Sequence, residues 1–118
     1  MLKPLLFSAS LALSLPAQAQ WTNNTLLNTP VQDAAGTTEE VPLSAPGPNG
    51  GTWVSWFATN PSTNYTMHLQ LLDRNGNKLL GPDGLLVSNQ PQTTATFRYD
   101  LKSDAAGNAL LAFQDERS

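Results

Sequence analysis

Proline, glycine, asparagine and threonine break up the chain after Gln20 roughly every 8 to 12 residues, the spacing of turn signals in an all-β protein. No stretch between these breaks sustains the 3.6-residue apolar period of a helix. The runs they leave read as strands. Val41 to Ser44 is short and precedes the turn Ala45-Pro46-Gly47-Pro48-Asn49-Gly50-Gly51. Thr52 to Phe57 is apolar on both faces, which predicts a strand covered on both sides. Tyr65 to Leu72 alternates: Tyr65, Met67, Leu69 and Leu71 fall on one face, Thr66, His68 and Gln70 on the other. The second face is expected to meet solvent. Leu79 to Ser88 carries a further apolar set, Leu79, Leu80, Leu85, Leu86 and Val87, interrupted by Gly81-Pro82-Asp83-Gly84. Asn75-Gly76, between two strand candidates, is a strong hairpin signal because both residues tolerate positive φ.

The pattern then begins again. Gly50-Gly51-Thr52-Trp53-Val54-Ser55-Trp56 lines up with Gly107-Asn108-Ala109-Leu110-Leu111-Ala112-Phe113, 57 residues further on. With one gap, Val41-Pro42-Leu43-Ser44 sits over Tyr99-Asp100-Leu101-Lys102. Offsets of this size build propellers and solenoids, whose units cannot bury their apolar faces alone. The second copy breaks off after its strand Ala109 to Phe113, so the expectation is the N-terminal part of a longer repeat protein. Its four-stranded, blade-like antiparallel repeats would begin a β-propeller. The alternative is a small β-sandwich with Leu110, Leu111 and Phe113 in its last strand.

The start of the chain reads as a secretory signal. Lys3 supplies the positive charge, Leu5 to Leu15 is apolar or small apart from Ser8, Ser10 and Ser14, and Pro16 leads into the cleavage site Ala17-Gln18-Ala19. About 11 apolar residues are too few to cross a hydrocarbon core of roughly 30 Å. An uncleaved anchor is the alternative, and no other segment is long and apolar enough to span a membrane. The mature chain is expected to begin near Gln20 and to be secreted or held at the cell surface. Without cysteine it is neither a lipid-anchored lipoprotein, a disulfide-stapled domain nor a thiol enzyme. An exported chain without disulfides suits a bacterial envelope. Once Lys3 is removed, the remaining five of six basic residues face nine acidic ones. They form no stripe to neutralise phosphates, which argues against nucleic acid as a partner. The expected plan is a signal peptide at 1–19, a polar leader at 20–40 with an edge strand around Thr25 to Leu27, a first repeat at 41–98, and the start of a second at 99–118.

Two further segments carry a resemblance. Ser103-Asp104-Ala105-Ala106-Gly107-Asn108-Ala109-Leu110-Leu111-Ala112-Phe113-Gln114-Asp115-Glu116-Arg117 and Leu69-Gln70-Leu71-Leu72-Asp73-Arg74-Asn75-Gly76-Asn77 resemble the repeats of secreted bacterial β-propeller-like proteins. The likeness spans roughly Val41 to Ser118 and implies a structural repeat, not a chemistry. The first copy departs from it, with Ala58-Thr59-Asn60 where the second has Asp115-Glu116-Arg117, and Leu80 where the pattern prefers Trp. Terminal repeats are commonly atypical in this way.

No catalytic, cofactor-binding or metal residues are assigned. His68, the only histidine, has no Asp, Glu or Cys near it in sequence, so a solvated strand residue is expected in place of a metal ligand. Asp73, Asn75 and Asn77 have the alternate spacing of a calcium loop. Lys78 and Gly84 then stand where that loop needs Gly and Glu, and a tight turn wants the same residues. Asp115 and Glu116 are adjacent, a poor arrangement for paired carboxylates. Trp53, Trp56, Phe57 and Tyr65 read as core before they read as a sugar platform, and Trp21 reads as exposed. The expected function is an exported, non-enzymatic β-repeat scaffold or binding module for a protein or glycan, with no cofactor. The rival is the N-terminal part of a secreted, glycan-active propeller-type hydrolase whose catalytic residues lie beyond this chain.

Overall fold

The structure, a computed structural model, describes residues 30–59, 64–90, 92 and 98–116. The signal peptide, the leader strand around Thr25 to Leu27, Trp21 and Arg117 lie outside the described residues. Six strands form in chain order: β1 (Thr38–Pro46), β2 (Thr52–Thr59), β3 (Tyr65–Leu72), β4 (Leu85–Ser88), β5 (Asp100–Ser103) and β6 (Ala109–Ala112). The first four make an antiparallel meander in the order β1-β2-β3-β4, and the last two a separate hairpin.

The strand with apolar residues on both faces is central, as its sequence predicts. β2 pairs with β1 on one edge and with β3 along its whole length on the other. Ser55, Trp56, Phe57 and Ala58 are all buried. β1 runs longer than the short segment read from sequence and contains a bulge, with one extra residue between Glu40 (opposite Phe57) and Leu43 (opposite Ser55). Val41 sits in that bulge at φ 51°. A β-branched residue there costs on the order of 1–3 kcal/mol and persists only where its surroundings hold it.

The hairpin predicted at Asn75-Gly76 forms. Asp73 to Asn77 turn the chain, and Leu72 bridges Lys78. Pairing stops there. Of the expected segment Leu79 to Ser88, only Leu85–Ser88 is strand, with Leu85 opposite Leu69 and Leu86 opposite His68. The residues between, with Gly81 and Gly84 both at positive φ, fold back over the far face of the sheet. Leu79, Leu85, Leu86 and Val87 stay exposed, so this apolar set does not enter the core.

The β5–β6 hairpin packs on the front of the first sheet. One cluster joins Ala45, Leu69 and Leu101, with Leu43, Trp53, Ala109 and Leu111 against it. A second joins Phe57, Met67 and Tyr99, with Tyr65, Leu111 and Phe113 beside them. Phe57 meets Tyr65 and Tyr99 edge to face, at centroid distances of 6.3 and 5.0 Å. The Tyr99 hydroxyl lies 2.6 Å from the Val41 carbonyl and 3.0 Å from that of Ser55, and accepts from Ser55 Oγ at 3.2 Å. Its single proton serves one carbonyl at a time, and the shorter contact is the one to the strained residue. Burial pushes the Tyr99 hydroxyl above its usual pKa, with hydrogen bonds from Ser55 and the Leu43 backbone acting the other way.

Tyr99→Phe strips the Val41 carbonyl and Ser55 of a partner without changing the ring. Leaving buried polar groups unpaired costs about 1–3 kcal/mol. The urea midpoint is expected to fall with an unchanged denaturant slope; an unmoved midpoint would show that this phenol does not hold the bulge.

Candidate functional site

The chemistry-bearing residues gather in three places: the turns, the seam between the two hairpins, and the far face of the first sheet. The turns share one scheme. Asp73 Oδ1 accepts the backbone N–H of Asn75 and of Asn77, each at 2.8 Å, and Asp73 Oδ2 accepts from Asn77 Nδ2 at 2.8 Å. Asp104 Oδ1 accepts from the N–H of Ala106 and Asn108, each at 2.9 Å, and its Oδ2 accepts from Asn108 Nδ2 at 2.8 Å. In each, the Asp N–H donates to the carbonyl of the Asn four residues on, and the intervening glycine donates back to the Asp carbonyl. The signature is Asp-x-x-Gly-Asn, legible in both places as sequence. The donors hold each carboxyl below the usual range, the Asn side chain most of all. The carboxylates of Asp73 and Asp104 are thus engaged by their own turns. Among the described residues no three His, Cys, Asp or Glu side chains converge on a metal position.

The turn Gly47 to Gly51 closes in the same way without an Asp, Gly47 N–H donating to the Gly51 carbonyl at 2.8 Å. It lies against the Asp104 turn, with a cleft of about 270 Å³ between Pro46–Asn49 and Ser103–Gly107. The Trp53 indole N–H crosses the seam to the Gly107 carbonyl at 2.8 Å. A Cβ added at Gly107 would stand 3.0 Å from Pro48 Cα, so only glycine lets the two turns approach this closely.

On the far face the structure departs from the sequence reading. Thr66, His68 and Gln70 do share a face, but solvent does not cover it. Gln70 is fully buried. Its Nε2 donates to the Gly81 carbonyl at 2.8 Å and to that of Val31 at 3.4 Å, and its Oε1 accepts from the N–H of Leu80 and Leu71. Lys78 pairs with Asp33 across the same cover. His68, expected as a solvated residue, is half-buried and stacked on Trp56 with centroids 5.6 Å apart. Its Nε2 lies 2.9 Å from Thr66 Oγ1. Burial pushes the imidazole below its usual pKa, against an upward pull from the Asp83 backbone and the carboxylates of Asp83 and Glu39.

The aromatic residues divide as follows: Trp56 and Phe57 are buried, while Trp53 and Tyr65 are half-buried. Asp115 and Glu116 follow the end of β6, with Asp115 half-buried and Glu116 exposed. Comparison with protein-family models, curated proteins and solved structures finds no match.

Gly107→Ala and Gly36→Ala both place a side chain at positive φ, 84° and 82°, but only Gly107 would also meet Pro48; Gly36 has open space. Each incurs left-handed backbone strain of about 1–2 kcal/mol. Gly107→Ala is expected to lose clearly more thermal stability and to shift Trp53 fluorescence to the red. Equal losses would remove the seam from the account.

His68 has its pKa lowered by folding, so the folded state favours the neutral ring. Its contribution is whole above about pH 6.5, the ordinary His value, and is lost as pH falls through the lower folded-state value. The stability difference between the wild type and His68→Gln is therefore expected to shrink on acidification from about pH 7.5 to about pH 5. A difference that stays constant in thermal melts across that range contradicts the assignment.

Proposed function

We propose that this chain is an exported, non-enzymatic β-repeat scaffold or binding module of a bacterial surface, and that its two stacked hairpins are consecutive units of a β-propeller-like array. The observation that carries this reading is the direction in which the hairpins stack. β1 and β2 are joined by five residues, Gly47 to Gly51, and β5 and β6 by five more, Asp104 to Asn108. Pro46 opposes Thr52 in one, and Ser103 opposes Ala109 in the other. Each pair is the other displaced by 57 residues, with no gap. The apparent match of Leu43 to Leu101 is therefore one residue out of step, and one residue turns a side chain to the opposite face. In register, Leu43, Ala45 and Trp53 correspond to Asp100, Lys102 and Leu110.

The first of these sets is the front of the first sheet, covered by the second hairpin. The second set is the front of the second hairpin, and all three residues are exposed. The units therefore stack front to back, as successive members of a repeat do. A two-sheet sandwich instead brings two inner faces together. The signal peptide read at Met1 to Ala19 supplies the export route, and the expected partner is a protein or a glycan.

Expression of the whole chain in a bacterial host is expected to yield extracytoplasmic protein whose N-terminal residue, read by mass spectrometry, is Gln20. Incubated with cell-surface polysaccharide, the mature protein is expected to be retained without releasing new reducing ends. Reducing-end release that co-purifies with the protein would overturn the non-enzymatic reading.

A further inference from the structure

In the first sheet, the edge of β2 that turns away from β1 is taken by β3, from Thr52 opposite Leu72 to Thr59 opposite Tyr65. β6 stands where β2 stood, 57 residues on. It has β5 on one side and, among the described residues, no strand on the other. The turn fixes which amides that open edge presents. Asp104 N–H bonds the Asn108 carbonyl, so the alternation of an antiparallel ladder makes Lys102–Leu110 and Asp100–Ala112 the hydrogen-bonded pairs. The N–H groups of Ala109, Leu111 and Phe113 then point away from β5.

The front of the first sheet is more exposed in the same direction. β5 contacts β1, and Ala109 and Leu111 of β6 pack on the cluster that includes Trp53 of β2. Among the described residues, the second hairpin packs less closely on β4. Leu85, the partner of Leu69 on the front face, is 51% exposed. A cleft of about 410 Å³ lies between Phe113 and Leu86 to Gln90.

Resting on the repeat reading above, we propose that the open edge of β6 accepts an antiparallel extended strand whose alternate residues are aliphatic or aromatic. Those residues pair with Ala109, Leu111 and Phe113 and face the first sheet, continuing over Leu69 toward Leu85 the interface that β5 and β6 begin. The occupant is a proline-free segment in the position that β3 holds in the first unit. Main-chain hydrogen bonds supply its affinity and the apolar shelf its specificity.

The test uses the isotope-labelled mature chain and a synthetic peptide of about nine residues, the length of a β-strand, alternating Val with Thr between terminal Lys residues. The control has the same composition with its Val and Thr in adjacent pairs. Amide exchange followed by NMR is expected to slow about tenfold or more at Ala109, Leu111 and Phe113 with the alternating peptide. Leu110 and Ala112, already bonded to β5, should change little, and the control should have no effect. No slowing, equal slowing by both peptides, or slowing that appears with protein concentration alone would each overturn the proposal, the last by making a second copy the occupant. The Trp53 indole N–H separates the two levels of inference. If it is protected while the edge amides stay fast, the strand site fails and the repeat reading stands. If it exchanges freely, the hairpins are not docked, and both fall.

Discussion

The Tyr99 hydroxyl is the buried polar point at which the two sheets are fastened, beside the Trp53 indole bond to Gly107 nearer the turns. It reaches Val41 in the bulge of β1 and Ser55 at the centre of β2, from the residue immediately before β5. Around it the contact is apolar: Phe57, Met67, Leu43 and Leu111. Apolar side chains tolerate sliding, because area buried in one register is nearly matched in the next. A buried hydroxyl facing two carbonyls does not. Displaced by one residue it leaves polar groups without partners, at more cost than the bond itself yields when made. The oily seam supplies most of the stabilisation, and the phenol selects the alignment. The same bond explains how Val41 can remain in a backbone conformation that a β-branched residue avoids.

With that alignment set, the turns follow. Three connections close by the same donation from the first residue of the turn to the carbonyl of the fifth, two of them around an Asp whose carboxylate gathers three donors. The third uses glycines and a short 3-10 turn at Pro48–Gly50. Because the first and last of these in the stack are equal in length, the strands they join keep equal registers. Trp53 and Gly107 can then meet across the seam.

Much of the first sheet was legible in the sequence, since the information was local. Period-two alternation located β3, two-sided apolarity located β2, and Asn75-Gly76 located the hairpin. What could not be read was decided by residues far apart in the chain. Nothing near His68 or Gln70 announces that residues 31–33 and 78–84 close over them, so in the sequence a polar face reads as a wet one. Gln70 is buried at no loss of hydrogen bonding because the covering segments present backbone groups to it, and composition cannot reveal that complementarity. Leu79 to Val87 misled in the opposite sense, being apolar yet exposed, because aliphatic character does not provide a surface to lie against. The pairing of Leu43 with Leu101 failed for a subtler reason: both line the same seam but from opposite sheets, so chemical likeness there reports contact, not equivalence. The site residues were harder still, since Tyr99, Gly107 and Val41 matter through approach and angle.

The cover on the far side of the first sheet bears on how copies of this protein treat one another. A chain that stacks front to back carries an inherent hazard: if its leading surface fits its own trailing surface, copies can join end on end without closure and grow into fibres. Part of the far face is already closed against such contact: Trp56, Ala58, Gln70 and Leu72 are buried, Gln70 under the Gly81 backbone, while Thr52 and Val54 stay half-buried. A polar glutamine in the middle of a strand, an oddity by composition, thereby draws backbone over this face and narrows the apolar surface left open on it.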